Sequence, residues 1–354
     1  MESRQLVHAT LDFESPARTP RQLWTLPWAS IHHPEALASI RRRFPEDVHH
    51  VPPVYRQPPK TVGNPYEPGT YVDEWGCPFE NCQRGTTGEV KSPPMANLED
   101  FEDYRLPEEL LSLDREAVDR YCAERSEFLL PGAVVRPFER LQFLYGSENA
   151  FIALLEEPEA VERALRRMHD FHLKELQLWA ETKVDGLFFI DDWGSQNGLL
   201  ISPELWRELF KPLYADFAEL ARQHGKRVFM HSDGYILPIL EDLIEVGVEA
   251  INSQVACMDV EELGRRFRGR ITFWGEVDRQ SVLPGADPAA VDSAVDEVWE
   301  HLRAAESGGV IAQCEFGPGA RPENVLRVFE RWEELDRAEA PAGSASGSGP
   351  PAGG

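Results

Sequence analysis

From about Phe128 onward the chain alternates between two kinds of segment, and this alternation limits its fold more than any other feature. The short apolar runs LLPGAVV (129–135), GLFFI (186–190), RVFM (227–230), AIN (250–252), ITFW (271–274) and VIA (310–312) are rich in β-branched and aromatic residues. Runs of that length and makeup read as buried strands. Between them lie long amphipathic stretches at 158–181, 203–224, 235–246 and 288–307, which read as helices. Ser202-Pro203-Glu204 and Asp287-Pro288 place a capping side chain directly before a proline, as at a helix start. Short buried strands alternating with longer helices imply a parallel sheet, closed or doubly wound. No GxGxxG follows a strand and no GxxxxGK(S/T) occurs, which argues against a nucleotide-binding sheet.

The flanks differ. Residues 1–100 are rich in proline and aromatics, among them Trp24, Trp28, Pro52, Pro53, Pro58 and Pro59. They read as an irregular N-terminal portion with a few short elements, wrapped against the sheet. The run Tyr71-Val72-Asp73-Glu74-Trp75-Gly76 reads as a strand ending at a tight turn. At the other end, Ala338–Gly354 is Gly, Ala, Ser and Pro apart from Glu339, which cannot bury apolar surface and predicts a disordered tail. The expectation is one domain over residues 1–337, with 1–127 its N-terminal portion and 128–337 its clearest βα repeats.

Charge and cysteine usage exclude several functions. With 61 acidic against 36 basic residues the net charge is −25, so the basic footprint of a nucleic-acid binder is missing. No apolar run approaches the ~20 residues of a membrane helix. Met1 is followed by Glu2 and mixed charges, not by a basic-then-apolar leader, so a cytoplasmic protein is expected. Five cysteines in a chain of this kind argue against a disulfide framework. Cys77, Cys82, Cys122 and Cys257 read as structural.

In a closed parallel sheet, chemistry sits where the strands end and the βα loops emerge. Here those positions are polar. GLFFI is followed by Asp191-Asp192-Trp193-Gly194 and RVFM by His231-Ser232-Asp233-Gly234. ITFW leads to Gly275, Glu276 and Asp278, and VIA to Gln313, Cys314 and Glu315. Imidazole, thiolate and carboxylate together suit zinc, with His231 and Asp233 from one strand end and Glu276 and Cys314 from neighbouring ones. Such a site would hold a substrate thiol as a thiolate nucleophile. Asp191 and Asp192 would orient the substrate or handle protons. Each has a plainer reading: His231 as a hydrogen-bonding residue, Cys314 as a small buried one, the aspartates as helix caps.

Three segments carry a family resemblance. They are Asp191-Asp192-Trp193-Gly194 through Ser202-Pro203 with Trp206 and Phe210-Lys211-Pro212, then His231-Ser232-Asp233-Gly234, and then Trp274-Gly275-Glu276-Val277-Asp278 with Arg321-Pro322-Glu323-Asn324-Val325. The chain resembles the uroporphyrinogen decarboxylase superfamily over roughly Pro131–Trp332, and more loosely at Asp73-Glu74-Trp75-Gly76 and Gly88-Glu89-Val90-Lys91. The resemblance implies a (β/α)8 TIM-type barrel with an irregular N-terminal extension.

It also implies one of two activities. Uroporphyrinogen decarboxylase itself works without a cofactor and carries an arginine-bearing motif, MRQAGR. The nearest text here is Arg21-Gln22-Leu23-Trp24, so that motif is absent. The zinc-dependent methyltransferases of the superfamily carry His-x-Cys at one strand end and a cysteine at a later one. His231 and Cys314 match, while Asp233 stands where the first cysteine would. No DxHxxG corrinoid-binding sequence is present, so a corrinoid would be carried by a separate partner protein. The resemblance therefore favours metal-dependent methyl transfer, from a corrinoid protein or a methylated small molecule, over decarboxylation of uroporphyrinogen or a related polycarboxylate. A substrate-binding barrel without turnover is the third alternative.

Overall fold

The computed structural model describes residues 1–133, 135–304 and 308–339. Eleven strands follow in chain order. β1 (Arg21–Thr25) and β2 (Val48–Val51) come first, then β3 (Gly69–Val72), β4 (Pro78–Asn81) and β5 (Glu89–Val90). β6 (Phe128–Pro131), β7 (Gly186–Ile190), β8 (Arg227–Ser232), β9 (Ala250–Ser253), β10 (Thr272–Trp274) and β11 (Val310–Phe316) complete the set.

Eight of these form a closed parallel barrel. Six are joined in the order β1-β11-β10-β9-β8-β7, and β2 pairs in parallel with β6. Two seams complete the ring. Asp47 N–H donates to Arg21 O at 2.8 Å and Gln22 Nε2 to Val48 O at 3.2 Å, linking β1 to β2. On the other side Val135 bridges in parallel to Phe189, linking the β6 chain to β7. The expected barrel is therefore present.

The N-terminal portion is less irregular than expected. It supplies two of the eight barrel strands, and the helix Ser3–Leu11 sends Val7 and Leu11 into the inner apolar cluster with Val48, Phe128 and Phe229. Only residues 52–127 are an excursion, built around the antiparallel sheet β3-β4-β5. The turn expected at Gly76 is there: its φ is 85°, and Asp73 Oδ1 accepts from the N–H groups of Trp75 and Cys77.

Side-chain parity sorts the strand residues into two shells. Phe188, Phe229, Ala250, Trp274 and Ile311 fill the barrel interior, while Phe189, Met230, Ile251, Phe273 and Ala312 belong to the larger core between strands and helices. Helix starts are marked by proline at 137, 158, 203, 288 and 322, where the missing N–H costs nothing. Ser202 and Asp287 both cap as expected, accepting from Leu205 N and Ala289 N. The stretch 203–224 is two helices, Pro203–Leu209 and Lys211–Gln223, divided at Phe210 beside Pro212. The stretch 288–307 is helical over Pro288–Leu302, and residues 305–307 lie outside the described residues. The last helix runs Pro322–Glu339, so Ala338 and Glu339 are helical, with Glu339 paired to Arg303 at 2.5 Å. The rest of the expected tail, 340–354, lies outside the described residues.

Candidate active site

Parity also decides which rim residues face the barrel mouth. Counting on from Phe188 and Ile190, Asp192 falls on the inner side and Asp191 on the outer. From Phe229, both His231 and Asp233 fall inside; from Trp274, Glu276 does; from Ile311, Gln313 and Glu315 do, and Cys314 does not.

The side chains agree. Asp191 is fully buried behind the strands. It caps the helix Pro137–Tyr145, accepting from Phe138 N at 3.1 Å and Glu139 N at 2.8 Å, and also takes the Tyr214 hydroxyl at 2.6 Å. Burial holds its proton on, assisted by the nearby Glu139 charge. Its carboxyl group is spent on architecture, which corrects the expectation that it handles substrate or protons. Cys314 packs in the outer core, fully buried, its Sγ 3.9 Å from Glu315 O. Burial drives its thiol well above the usual range. Cys314 as a metal ligand is likewise corrected, because it sits on the wrong face of β11.

Asp192, His231 and Asp233 do converge. One donor atom from each lies within 4.8 Å of the others. His231 Nε2 stands 3.5 Å from Asp192 Oδ1 and 3.6 Å from Asp233 Oδ1. The other ring nitrogen, Nδ1, is 2.6 Å from Asn252 Oδ1. The Asn252 amide in turn donates to Trp274 O, which fixes its oxygen toward the imidazole. Nδ1 is thus the donor, and when the ring is neutral the Nε2 lone pair points into the space bounded by the two carboxylates, free for a cation. Burial favours that neutral ring, but Asp192 and Asp233 outweigh it and raise the pKa.

The loops that carry these aspartates are locked together. Asp233 N–H donates to Asp192 Oδ1 at 2.9 Å, and Gly194 N–H to Asp233 O at 3.1 Å. Gly234 has φ 78°, and a Cβ there would lie 2.3 Å from the Gly194 carbonyl carbon. Only glycine allows the two chains to pass this closely.

Sequence reasoning missed Arg279. Its guanidinium pairs with Asp233 Oδ2 and with Glu315 Oε2 at 2.6 Å, and lies 3.7 Å from Glu276 Oε1. Glu276 is buried on the rim but turned to Arg279, outside the convergent trio. Burial pushes its carboxyl group to about 7, against the pull of Arg279. Asn252 was missed as well, although it directly follows the inward Ala250 by parity. Gln196, Gln254, Glu276 and Arg279 line a cavity of about 320 Å³ beside the trio. A second, of about 810 Å³, spans the mouth past Trp24, His50, Phe188 and Glu315.

A metal ion fits the trio. Three inward carboxyl groups, Asp233, Glu276 and Glu315, share the Arg279 guanidinium, while Asp192 lies beside His231. Asp233 Oδ1 is buried without a hydrogen-bond partner, a costly arrangement unless something else satisfies it. Donors bound to zinc at ~2.1 Å in a tetrahedron lie roughly 3.4 Å apart, close to the separations from Nε2.

The sequence matches the family model for uroporphyrinogen decarboxylase (URO-D) over residues 70–335, and the chain belongs to that family. Its architecture is that of a uroporphyrinogen decarboxylase-like enzyme. Among solved structures, a methyltransferase from Methanosarcina mazei superposes with a TM-score of 0.67 at 16% identity, covering 95% of this chain and 99% of that one. The likeness is one of fold. The IOLI protein with a bound zinc atom is far more distant, with a TM-score of 0.38 at 10% identity over 90% of this chain and 98% of that one. Among curated proteins, nonribosomal peptide synthetase 2 of Cochliobolus heterostrophus is 25% identical over 195 residues. That stretch is 47% of this chain, and the chain spans only 4% of that protein's length. Among the described residues no helix is long and apolar enough to cross a membrane.

Proposed function

We propose that this chain is a metal-dependent methyltransferase whose Asp192, His231 and Asp233 hold a zinc ion at the barrel mouth. The observation that supports this best is the convergence of those three donors, with the imidazole tautomer set by Asn252. A zinc ion held there supplies Lewis-acid charge that lowers the pKa of an acceptor thiol or hydroxyl. Arg279 holds Asp233 in place through Oδ2 and leaves Oδ1 for the ion. Glu276, titrating near neutrality, is suited to take the proton that the acceptor gives up. Gln196 and Gln254, hydrogen-bonded to each other at 3.1 Å, present amides that orient the acceptor. The methyl donor is a small methylated molecule or a corrinoid carried by a partner protein docked over the mouth.

Elemental analysis of the purified protein tests this directly. About one zinc per chain, lost in His231→Ala, is the expected result. Protein that stays metal-free after zinc supplementation would overturn it.

The competing reading is cofactor-free decarboxylation of a polycarboxylate. It draws on the titration of Glu276 near 7 beside His231, an acid–base pair in its own right. Against it, the position nearest the missing arginine motif is occupied by Gln22, which faces inward and accepts from Trp24 and Trp274 Nε1 at 2.8 and 2.9 Å. Purified protein is expected to form no coproporphyrinogen from uroporphyrinogen, and robust conversion would favour this second reading.

A further inference from the structure

A separate cavity of about 510 Å³ lies where the 52–127 excursion meets the helices Pro137–Tyr145 and Pro158–Ala180. That volume is within the range of small-molecule sites. It adjoins the barrel mouth, sharing Gly132 and Arg136 with it, but contains none of the residues assigned to the metal. Aromatic faces form its walls: Tyr55, Tyr71, Trp75, Phe79 and Phe143.

Its polar lining sets three carboxyl groups, Asp73, Glu74 and Glu175, against two guanidiniums, Arg136 and Arg140. Asp73 and Arg140 are both buried and pair at 2.5 Å, with the guanidinium stacked 4.9 Å from the Trp75 ring centre and its Nε left without an acceptor. Glu175 and His172 are the other buried polar groups of the lining. Glu175 is 5% exposed, and its closest ionisable neighbour is His172 Nδ1 at 3.5 Å. His172 is 2% exposed, and neither ring nitrogen has a hydrogen-bond partner. Burial keeps that ring neutral, with a pKa lowered to about 3, so one nitrogen carries a free lone pair and the other a free N–H. Glu74 adds a second carboxyl group 3.8 Å from Arg140. Arg136, at the side toward the mouth, is 3.6 Å from its own partner Glu139.

The free lone pair of His172 and the carboxyl groups of Glu175 and Glu74 can accept from a bound donor, and carboxylates among aromatic faces favour a positive one. We propose that this cavity binds an organic ammonium with an apolar body, its N–H groups directed to Glu175, Glu74 and His172 and its body against the aromatic walls. The site is independent of the metal reading and stands or falls without it.

Three probes of one shape test it by calorimetric titration of the full chain: 2-phenylethylammonium, 2-phenylethanol and phenylacetate. At pH 8, where Glu175 is ionised, the ammonium should bind saturably and at least about tenfold more tightly than either of the others, because a buried charge pair is at stake. Glu175→Gln should weaken the ammonium by a similar factor, and Glu74→Gln should do so to a lesser degree, while zinc content stays unchanged in both. Equal binding of all three probes, preference for phenylacetate, no saturable ammonium binding, or full affinity in a folded Glu175→Gln protein would each overturn the assignment.

Discussion

The two oxygens of Asp233 have different surroundings. Oδ2 belongs to Arg279, and Oδ1 is buried beside His231 Nε2 with nothing to accept. Removing the carboxylate in Asp233→Ala should therefore abolish zinc retention. Cys314→Ala should retain the metal fully and cost about 1 kcal/mol in unfolding free energy, the toll of a small outer-core cavity. Equilibrium dialysis against zinc, paired with urea unfolding, separates the two outcomes. Glu175 gives a second test at this scale. Burial raises its pKa to about 7 from the ordinary 4.5, although Arg140 pulls the other way. The folded state thus holds this proton more tightly than the unfolded chain, so stability falls as pH rises from about 4.5 to 7 and is level above. Relative to wild type, Glu175→Gln should gain about 1–3 kcal/mol between pH 5 and pH 8, as read by denaturant unfolding at each pH. The residue types at this rim were legible in the sequence, but their directions were not. Adjacent aspartates read alike as letters, yet the pleat sends Asp191 to a helix cap and Asp192 to the mouth. Counting parity outward from Phe188 would have separated them, and counting from Ile311 would have turned Cys314 away. Arg279 gave no such signal, because its role depends on carboxylates from three different strands.

At the scale of elements, Asp191 joins β7 to the helix Pro137–Tyr145 and to Tyr214 on the helix Lys211–Gln223. Asp191→Ala removes a cap and leaves the buried Tyr214 hydroxyl, which still accepts from Trp193 Nε1, with no acceptor for its proton. It should lower unfolding free energy by about 2–3 kcal/mol while the folded protein keeps its zinc. Loss of metal with unchanged stability would return Asp191 to the site. Elements with clean apolar runs were readable, since both faces of β7 (GLFFI) and β10 (TFW) are buried and, Thr272 apart, their letters are apolar or glycine. β1 and β2 were not. Their inward residues Gln22, Trp24 and His50 line the mouth, so RQLWT and VHHV lack the signature of a buried strand. The same polarity that hid these strands equips the cavity.

For the molecule as a whole, the last described helix reaches Glu339, whose carboxylate meets Arg303 stacked on Trp299. A chain ending at Glu339 should melt within error of the full-length protein, by differential scanning calorimetry. Ending it two residues earlier forfeits one partly exposed ion pair, worth about 0–1 kcal/mol. The front of the chain is another matter. The segment 70–335 matched by the family model omits β1 and β2, the two staves that close the ring. A protein trimmed to that segment would expose the flanks of β6 and β11 as two raw edges, each a template for strand addition. It should emerge from size-exclusion chromatography as aggregate, where the intact chain elutes as a discrete species. What a family profile marks as the conserved body of such a barrel is thus, cut out on its own, a split cask.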